Sequence, residues 1–273
     1  MGFSANKAVV VGGASGIGRS TALKLAERGC DIVIADIHEE RIEEAVALIG
    51  GTGRKCAGTR CDITRDDEVE ALRETAFAEL GHVDLLVNSA GASLLGALEH
   101  IEMDQWQWQL EVNLLGVIRT CKAFLPHLIE RQCGAIVNVA SVAGLYAYSY
   151  DAVPYATSKF GCVGYSEGLA VYLGRKGIQV SVVCPGLVTT NLGENARILG
   201  IEDPGSFIHF PEHMQRPLEP DEVGEIIADG VAAGRFMILT HPEDGPLLAK
   251  RREDYDAAIA AQVAAAPDPF KGR

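Results

Sequence analysis

Short apolar runs rich in valine and isoleucine alternate with helical stretches along most of this chain. That alternation restricts the possible folds more than any other feature. The apolar runs lie at 7–11, 31–36, 55–60, 83–88, 134–140, 178–184 and 235–240. Between them, helical patterns cover 19–28, 38–49, 65–80, 104–132, 155–175 and 221–233, and a polar helix is expected over 247–265. A helix-length connection returns the chain to the edge where the last strand began, so consecutive strands run parallel with right-handed crossovers. The strands are nearly uniformly apolar, as strands covered on both faces must be. The expected fold class is α/β, a doubly wound parallel sheet of about seven strands flanked by helices. No composition shift or repeat marks a boundary, so residues 1–273 are read as one domain. Apolar residues make up 48% of the chain, enough for a sizeable core.

In a doubly wound sheet, ligands bind beyond the carboxyl ends of the strands. The residues of chemical interest collect there. The first strand ends in Gly12, Gly16 and Gly18, with a helix behind them. Glycines let a tight turn approach a pyrophosphate, and the helix offers free N–H groups and the positive end of its dipole. Asp36 ends the second strand, 18 residues after Gly18. A carboxylate there can accept bonds from both ribose hydroxyls of an adenosine and repels a 2′-phosphate. Its neighbour is Ile37, and position 15 is Ser15, so no cation stands ready for a 2′-phosphate. Arg19 and Arg41 are assigned to helix surfaces. The expected cofactor is NAD rather than NADP.

Four tyrosines, Tyr146, Tyr148, Tyr150 and Tyr155, crowd the segment after the fifth strand, but only Tyr155 has a lysine four residues on. Pro154 suits the first turn of a helix. On that helix Tyr155 and Lys159 share a face. A free tyrosine titrates near ~10 and is a poor base at neutral pH. A neighbouring ammonium favours the phenolate, so a tyrosine placed this way can take a proton from an alcohol or return it to a carbonyl oxygen.

With these motifs in order, the chain resembles the short-chain dehydrogenase/reductase family over residues 7 to about 240. The resemblance implies a Rossmann-like seven-stranded sheet, an NAD(P) cofactor and a catalytic set of Asn113, Ser141, Tyr155 and Lys159. It also implies cofactor contacts from Gly12, Ser15, Gly16, Ile17, Gly18, Asp36, Ile37, Asp62, Ile63, Asn88, Ala90, Gly91, Tyr155, Lys159, Pro185, Gly186, Val188 and Thr190. Asp62 would meet the adenine, Val188 and Thr190 the carboxamide, and Asn113 would hold a water relaying protons to Lys159. Three departures stand out: Val11 where the family's turn begins with Thr, Ser89 in place of the second Asn of Asn-Asn-Ala-Gly, and an extension over 241–273. The family's usual dimer surface would use the helices at 104–132 and 155–175, giving a dimer or tetramer. Two other classes share such a fold: a nucleotide-sensing regulator, and a lyase or epimerase using the nucleotide transiently.

The net charge of −13 argues against nucleic acid and anionic membrane as partners. No run of ~18 uncharged apolar residues is present, so no membrane span is expected, and neither a signal peptide nor a myristoylation signal is read at the start. The seven cysteines are scattered without a C-x-x-C, which points to a reducing cytoplasm rather than disulfides or zinc. His209 and His213 are four apart but lack a third ligand, so no metal is expected. Trp106 and Trp108 are assigned to packing or a subunit contact, and Ser89, Asn138 and Asp151 to structural roles. Residues 191–219 form the expected substrate lid. Its Leu192, Ile198, Leu199, Ile201, Phe207, Ile208 and Phe210, with Leu94, Leu95, Leu145 and Tyr146, predict a mainly hydrophobic pocket for a bulky secondary alcohol or ketone.

Overall fold

The computed structural model describes residues 5–200, 214 and 216–265. Seven parallel strands form the sheet: β1 Lys7–Val11, β2 Asp31–Asp36, β3 Cys56–Arg60, β4 Leu85–Asn88, β6 Gly134–Val139, β7 Ile178–Cys184 and β9 Met237–Leu239, in the order β3-β2-β1-β4-β6-β7-β9. The short strands β5 (Leu94–Gly96) and β8 (Arg197–Leu199) pair separately and lie outside this sheet. The strand order reverses between β1 and β4, and a crevice opens where the connections from these two strands leave in opposite directions. Register places Val11 between Ala35 and Asn88, and Asn88 beside Asn138. The ends of four strands are therefore level, which forms the floor of that crevice.

Alternate residues of each strand enter opposite layers. Val9, Val33 and Leu86 face Leu72, Phe124 and Leu128 of the helices α3 (Asp66–Leu80) and α5 (Gly116–Arg131). Val10, Ile32 and Ile34 face the other way, onto α1 (Gly16–Glu27), α2 (Glu39–Gly50) and α7 (Pro220–Ala232). Nearly all of these side chains are fully buried, each contributing on the order of 1.5–3 kcal/mol. Ser20 on α1 donates to Asp221 on α7 at 2.8 Å, and Arg28 pairs with Asp229 at 2.8 Å, locking the two helices side by side.

Three local expectations change. The first helix begins at Gly16, three residues earlier than its apolar pattern. The helix expected over 104–132 is interrupted: α4 (Met103–Leu110) and α5 flank a wide turn, Glu111–Leu115, where the Gly116 N–H bonds back to the Glu111 carbonyl five residues away. The cause is tertiary. Asn113 is held by the backbone of Ala92, and at Gly116 a Cβ would lie 2.6 Å from the Ile63 Cδ1. The polar C-terminal helix is two helices, α8 (Asp244–Glu253) and α9 (Tyr255–Ala265), broken where Asp254 is extended. One stretch of Met103–Arg131 reaches a mean hydropathy of 1.2, apolar and long enough on composition alone to cross a membrane. Here its Cys121, Phe124 and Leu128 fill the core, and Arg119 pairs with Asp66 and Glu111.

Candidate active site

The turn after β1 is shaped by close approach. Gly12 has φ 72°, and a Cβ there would lie 2.5 Å from the Ala90 nitrogen. A Cβ on Gly18 would sit 2.0 Å from the Gly12 carbonyl oxygen. Only glycine permits this packing, and the turn places the N-terminus of α1 on the cavity, where free N–H groups could receive a phosphate. Beside it, Asp36 accepts from the backbone N–H groups of Ile37 at 2.8 Å and Ala14 at 3.2 Å, so the turn itself orients the carboxylate. Arg41 reaches across to Glu194 at 2.7 Å and is taken up there. Asp62 accepts from the Thr64 N–H at 2.9 Å and hydroxyl at 2.7 Å.

At the other end, Tyr155 and Lys159 lie one turn apart on α6 (Val153–Leu173), whose first turn holds Pro154. Tyr155 is 8% exposed and Lys159 5%. The Lys159 ammonium lies 5.8 Å from the Tyr155 ring centre and donates to the Val139 carbonyl at 3.0 Å. Ser141 follows β6; its hydroxyl accepts from the Ala143 N–H at 3.1 Å and donates to the Pro185 carbonyl at 3.5 Å. That last bond is long, so the hydroxyl can turn to a stronger partner. Asn113 sits in the wide turn with its amide bound to Ala92 and to the Ser158 hydroxyl at 3.0 Å. A Cβ on Gly91 would lie 3.4 Å from the Asn113 Oδ1 and 3.5 Å from the Lys159 Nζ, ordinary contact distances, so Gly91 lies between these two groups.

One cavity of about 850 Å³ joins the two ends. Its wall includes Gly12, Ser15, Gly16, Ile17, Asp36, Ile37, Asp62, Ile63, Ala90, Gly91, Ser141, Tyr155, Lys159, Pro185, Gly186, Val188 and Thr190. Three of the expected site residues are not on the wall. Gly18 and Asn113 stand behind it, as described. Asn88 belongs to a buried polar row beneath the sheet: it accepts from Thr120 at 2.7 Å and donates to Asn138 at 2.9 Å, and Asn138 donates to Ser166 at 3.0 Å. This row, including Asn138, joins β4 and β6 to α5 and α6.

The apolar residues expected around the substrate fall in different places. Leu95, Leu192 and Ile198 are on the wall, whereas Leu94, Leu145, Tyr146 and Leu199 are not. Tyr146 turns away and donates to Asp244 of the C-terminal extension at 2.6 Å. Ile201, Phe207, Ile208, Phe210, His209 and His213 lie outside the described residues. Tyr148, one of the tyrosines crowding Tyr155, shares the wall with five groups that no sequence signal placed there: Ser93, Trp108, Ser149, Asp151 and Arg197. Ser149 donates to Asp151, and burial raises the Asp151 carboxyl above the usual carboxylate range. Burial likewise raises the Tyr148 phenol. Trp108 is thus a cavity residue rather than packing alone. These side chains gather through β5 and β8, each three residues long, too short for periodicity to reveal.

A profile described as short chain dehydrogenase matches residues 6–198. A subunit of (2S)-[(R)-hydroxy(phenyl)methyl]succinyl-CoA dehydrogenase from Thauera aromatica is 37% identical over 227 residues, covering 83% of this chain and 89% of its own. A short-chain dehydrogenase/reductase from Burkholderia phymatum, solved in complex with NAD, superposes with a TM-score of 0.82 at 29% identity, covering 94% of this chain and 96% of that one. An actinorhodin polyketide ketoreductase variant, solved with NADPH, gives 0.76 at 31% identity, covering 88% and 97%.

Proposed function

The chain belongs to the short-chain dehydrogenase/reductase family of oxidoreductases, which bind NAD or NADP and act on CH–OH groups, and from that premise we propose that it transfers a hydride between NAD and a secondary alcohol or ketone. The observation that carries this reading is that Ser141, Tyr155 and Lys159 line the same 850 Å³ cavity as the glycine turn and Asp36. The cradle left by Gly12 and Gly18 fits a pyrophosphate, and the Asp36 carboxylate favours a free ribose over a 2′-phosphorylated one. Arg41, one of the two arginines that could meet a 2′-phosphate, is already paired with Glu194.

When bound, the nicotinamide supplies the hydride acceptor or donor. Everything else falls to side chains of this chain. Tyr155 takes the hydroxyl proton during oxidation and returns it to the carbonyl oxygen during reduction. Lys159, tied to Val139, provides fixed positive charge beside the phenol. Ser141 turns its hydroxyl from the Pro185 carbonyl to the substrate oxygen and holds it near Tyr155. Asn113 fixes the wide turn behind Lys159, where a proton relay to solvent can form.

Assaying a panel of secondary alcohols with NAD and with NADP tests the proposal. Accumulation of reduced nicotinamide with NAD supports it, and preference for NADP or absence of net reduction refutes it. We place the enzyme in the cytoplasm, in keeping with its free cysteines, five of them buried. Burial pushes the Cys30, Cys61 and Cys184 thiols up to about 12. A homo-oligomer through α5 and α6 would cover Val171 and Tyr172, which are 81% and 59% exposed in one chain. Sedimentation would reveal it.

A further inference from the structure

We propose that the substrate carries an anionic oxygen group, carboxylate or phosphate, distant from its carbinol carbon, and that Arg197 is the residue that binds it. The inference rests on the dehydrogenase reading and narrows its substrate class. Arg197 begins β8, where its N–H donates to the Ser93 carbonyl at 2.8 Å and its Cα lies opposite Leu94. Its guanidinium carbon lies 3.7 Å from the ring centre of Trp108, which itself lines the cavity. One terminal N–H is spent on Gln105 Oε1 at 2.9 Å. Among the described residues, Arg197 has no carboxylate within ion-pair distance, although the chain carries 37 acidic residues against 24 basic ones. Arg41, Arg119 and Arg131 all find such partners.

An exposed arginine normally samples many rotamers, and ordering it costs conformational entropy. Here the ordering has already occurred. The indole takes one face of the guanidinium, and the amide of Gln105 fixes its rotation. The donors left over lie in the guanidinium plane, in the fork geometry that matches two oxygens of a carboxylate or phosphate. A lysine could not be held flat this way or offer two parallel donors.

Its position supplies the second part of the inference. Arg197 and Lys159 are the only lysine or arginine side chains among the described residues of the cavity wall. Lys159 is committed beside Tyr155 and Val139. Arg197 belongs to the β5–β8 unit with Leu95 and Ile198, and all three contribute to the wall of the same cavity. Trp108 lies one turn before the wide turn that holds Asn113. An amphipathic hydroxy acid suits this arrangement, with its apolar body against Leu95, Leu192 and Ile198 and its anion on Arg197.

The test separates anion binding from turnover. Calorimetry on the NAD-saturated Tyr155→Phe protein compares 3-hydroxy-3-phenylpropanoate with its methyl ester, and 3-phenylpropyl phosphate with 3-phenylpropanol. At least one anion is expected to bind about tenfold or more tightly than its neutral counterpart, and the pair showing the larger ratio tells carboxylate from phosphate. Adding Arg197→Gln should weaken that anion about ten- to hundredfold, leaving the neutral compounds, the affinity for NAD and the melting temperature unchanged. Arg197→Lys should restore only part of the loss. Equal binding of anion and neutral compound overturns the proposal, as does an equal loss for both in Arg197→Gln, which would reduce Arg197 to a prop for Trp108. If the anion binds selectively yet wild-type protein reduces no NAD with any hydroxy acid, the dehydrogenase reading fails while the anion site stands.

Discussion

Tyr146 and Tyr155 lie nine positions apart in one loop-and-helix segment, both almost wholly buried, at 5% and 8% exposure. Their surroundings carry opposite charge. Tyr146 donates to the Asp244 carboxylate, and burial together with that carboxylate holds its phenol protonated, well above the ordinary tyrosine range. Tyr155 has the Lys159 ammonium beside its ring and opens on the cavity that holds the glycine turn. The same side chain is a fixed donor in one setting and a candidate acid and base in the other. What separates them is the sign of the neighbouring charge and access to the cleft, not aromatic content or burial.

The largest effect should come from removing the phenol proposed as acid and base. Tyr155→Phe is expected to lower kcat by about a thousandfold, within the range of general acid–base catalysis, while the Kd for NAD stays within about twofold. Steady-state rates and cofactor titration check both halves. Lys159→Met removes the charge that distinguishes the two tyrosines, together with the bond to the Val139 carbonyl, and should cost about a hundredfold in kcat. A variant of near-normal activity would erase the contrast with Tyr146.

Asp244→Ala is the reciprocal change. It leaves the buried Tyr146 hydroxyl without this acceptor, at a cost of ~1–3 kcal/mol. Each kcal/mol should lower Tm by about 2–4 °C in a chain of this size, with kcat changed less than about threefold. A collapse of kcat at unchanged Tm would instead place Asp244 in the chemistry. The smallest effect is one of pH. Tyr146 has a raised pKa in the folded chain and one near ~10 when unfolded. Below pH ~10 both states hold the proton and stability is at its full value. Above it the unfolded chain releases the proton first, so stability falls as pH rises, by at most ~1.4 kcal/mol per pH unit. Wild type should therefore lose more stability than Tyr146→Phe between about pH 10 and 11 in denaturant titrations, and parallel losses would contradict the assignment.

Much of the fold was legible because its cause is local. A covered parallel strand must be apolar on both faces, so runs such as 31–36 and 178–184 announce themselves in one dimension. Glycines at 12 and 18 declare a close backbone approach wherever the partner lies, and Tyr155 with Lys159 follows from helical period alone. The substrate end was not legible. Trp108 and Arg197 are 89 positions apart, and no periodicity links a three-residue strand to a helix so far upstream. Leu145 and Tyr146 read as pocket residues until Asp244 drew the Tyr146 ring aside. The expected helix over 104–132 concealed its break because the groups that meet the wide turn, the Ala92 backbone and the Ile63 side chain, lie elsewhere in the chain.

The amino-acid sequence by itself therefore determined the layered parallel sheet, the glycine turn, the carboxylate at the end of β2 and the pairing of phenol with ammonium. Each is set by contacts within a few residues or by a repeating period. Only the tertiary structure decided that Asn88 serves a buried polar row, that Asn113 occupies a widened turn, and that an arginine lies flat on Trp108 at the cavity wall. Those outcomes depend on which distant backbone or ring happens to satisfy a polar group, and such partners are fixed only when the chain closes on itself.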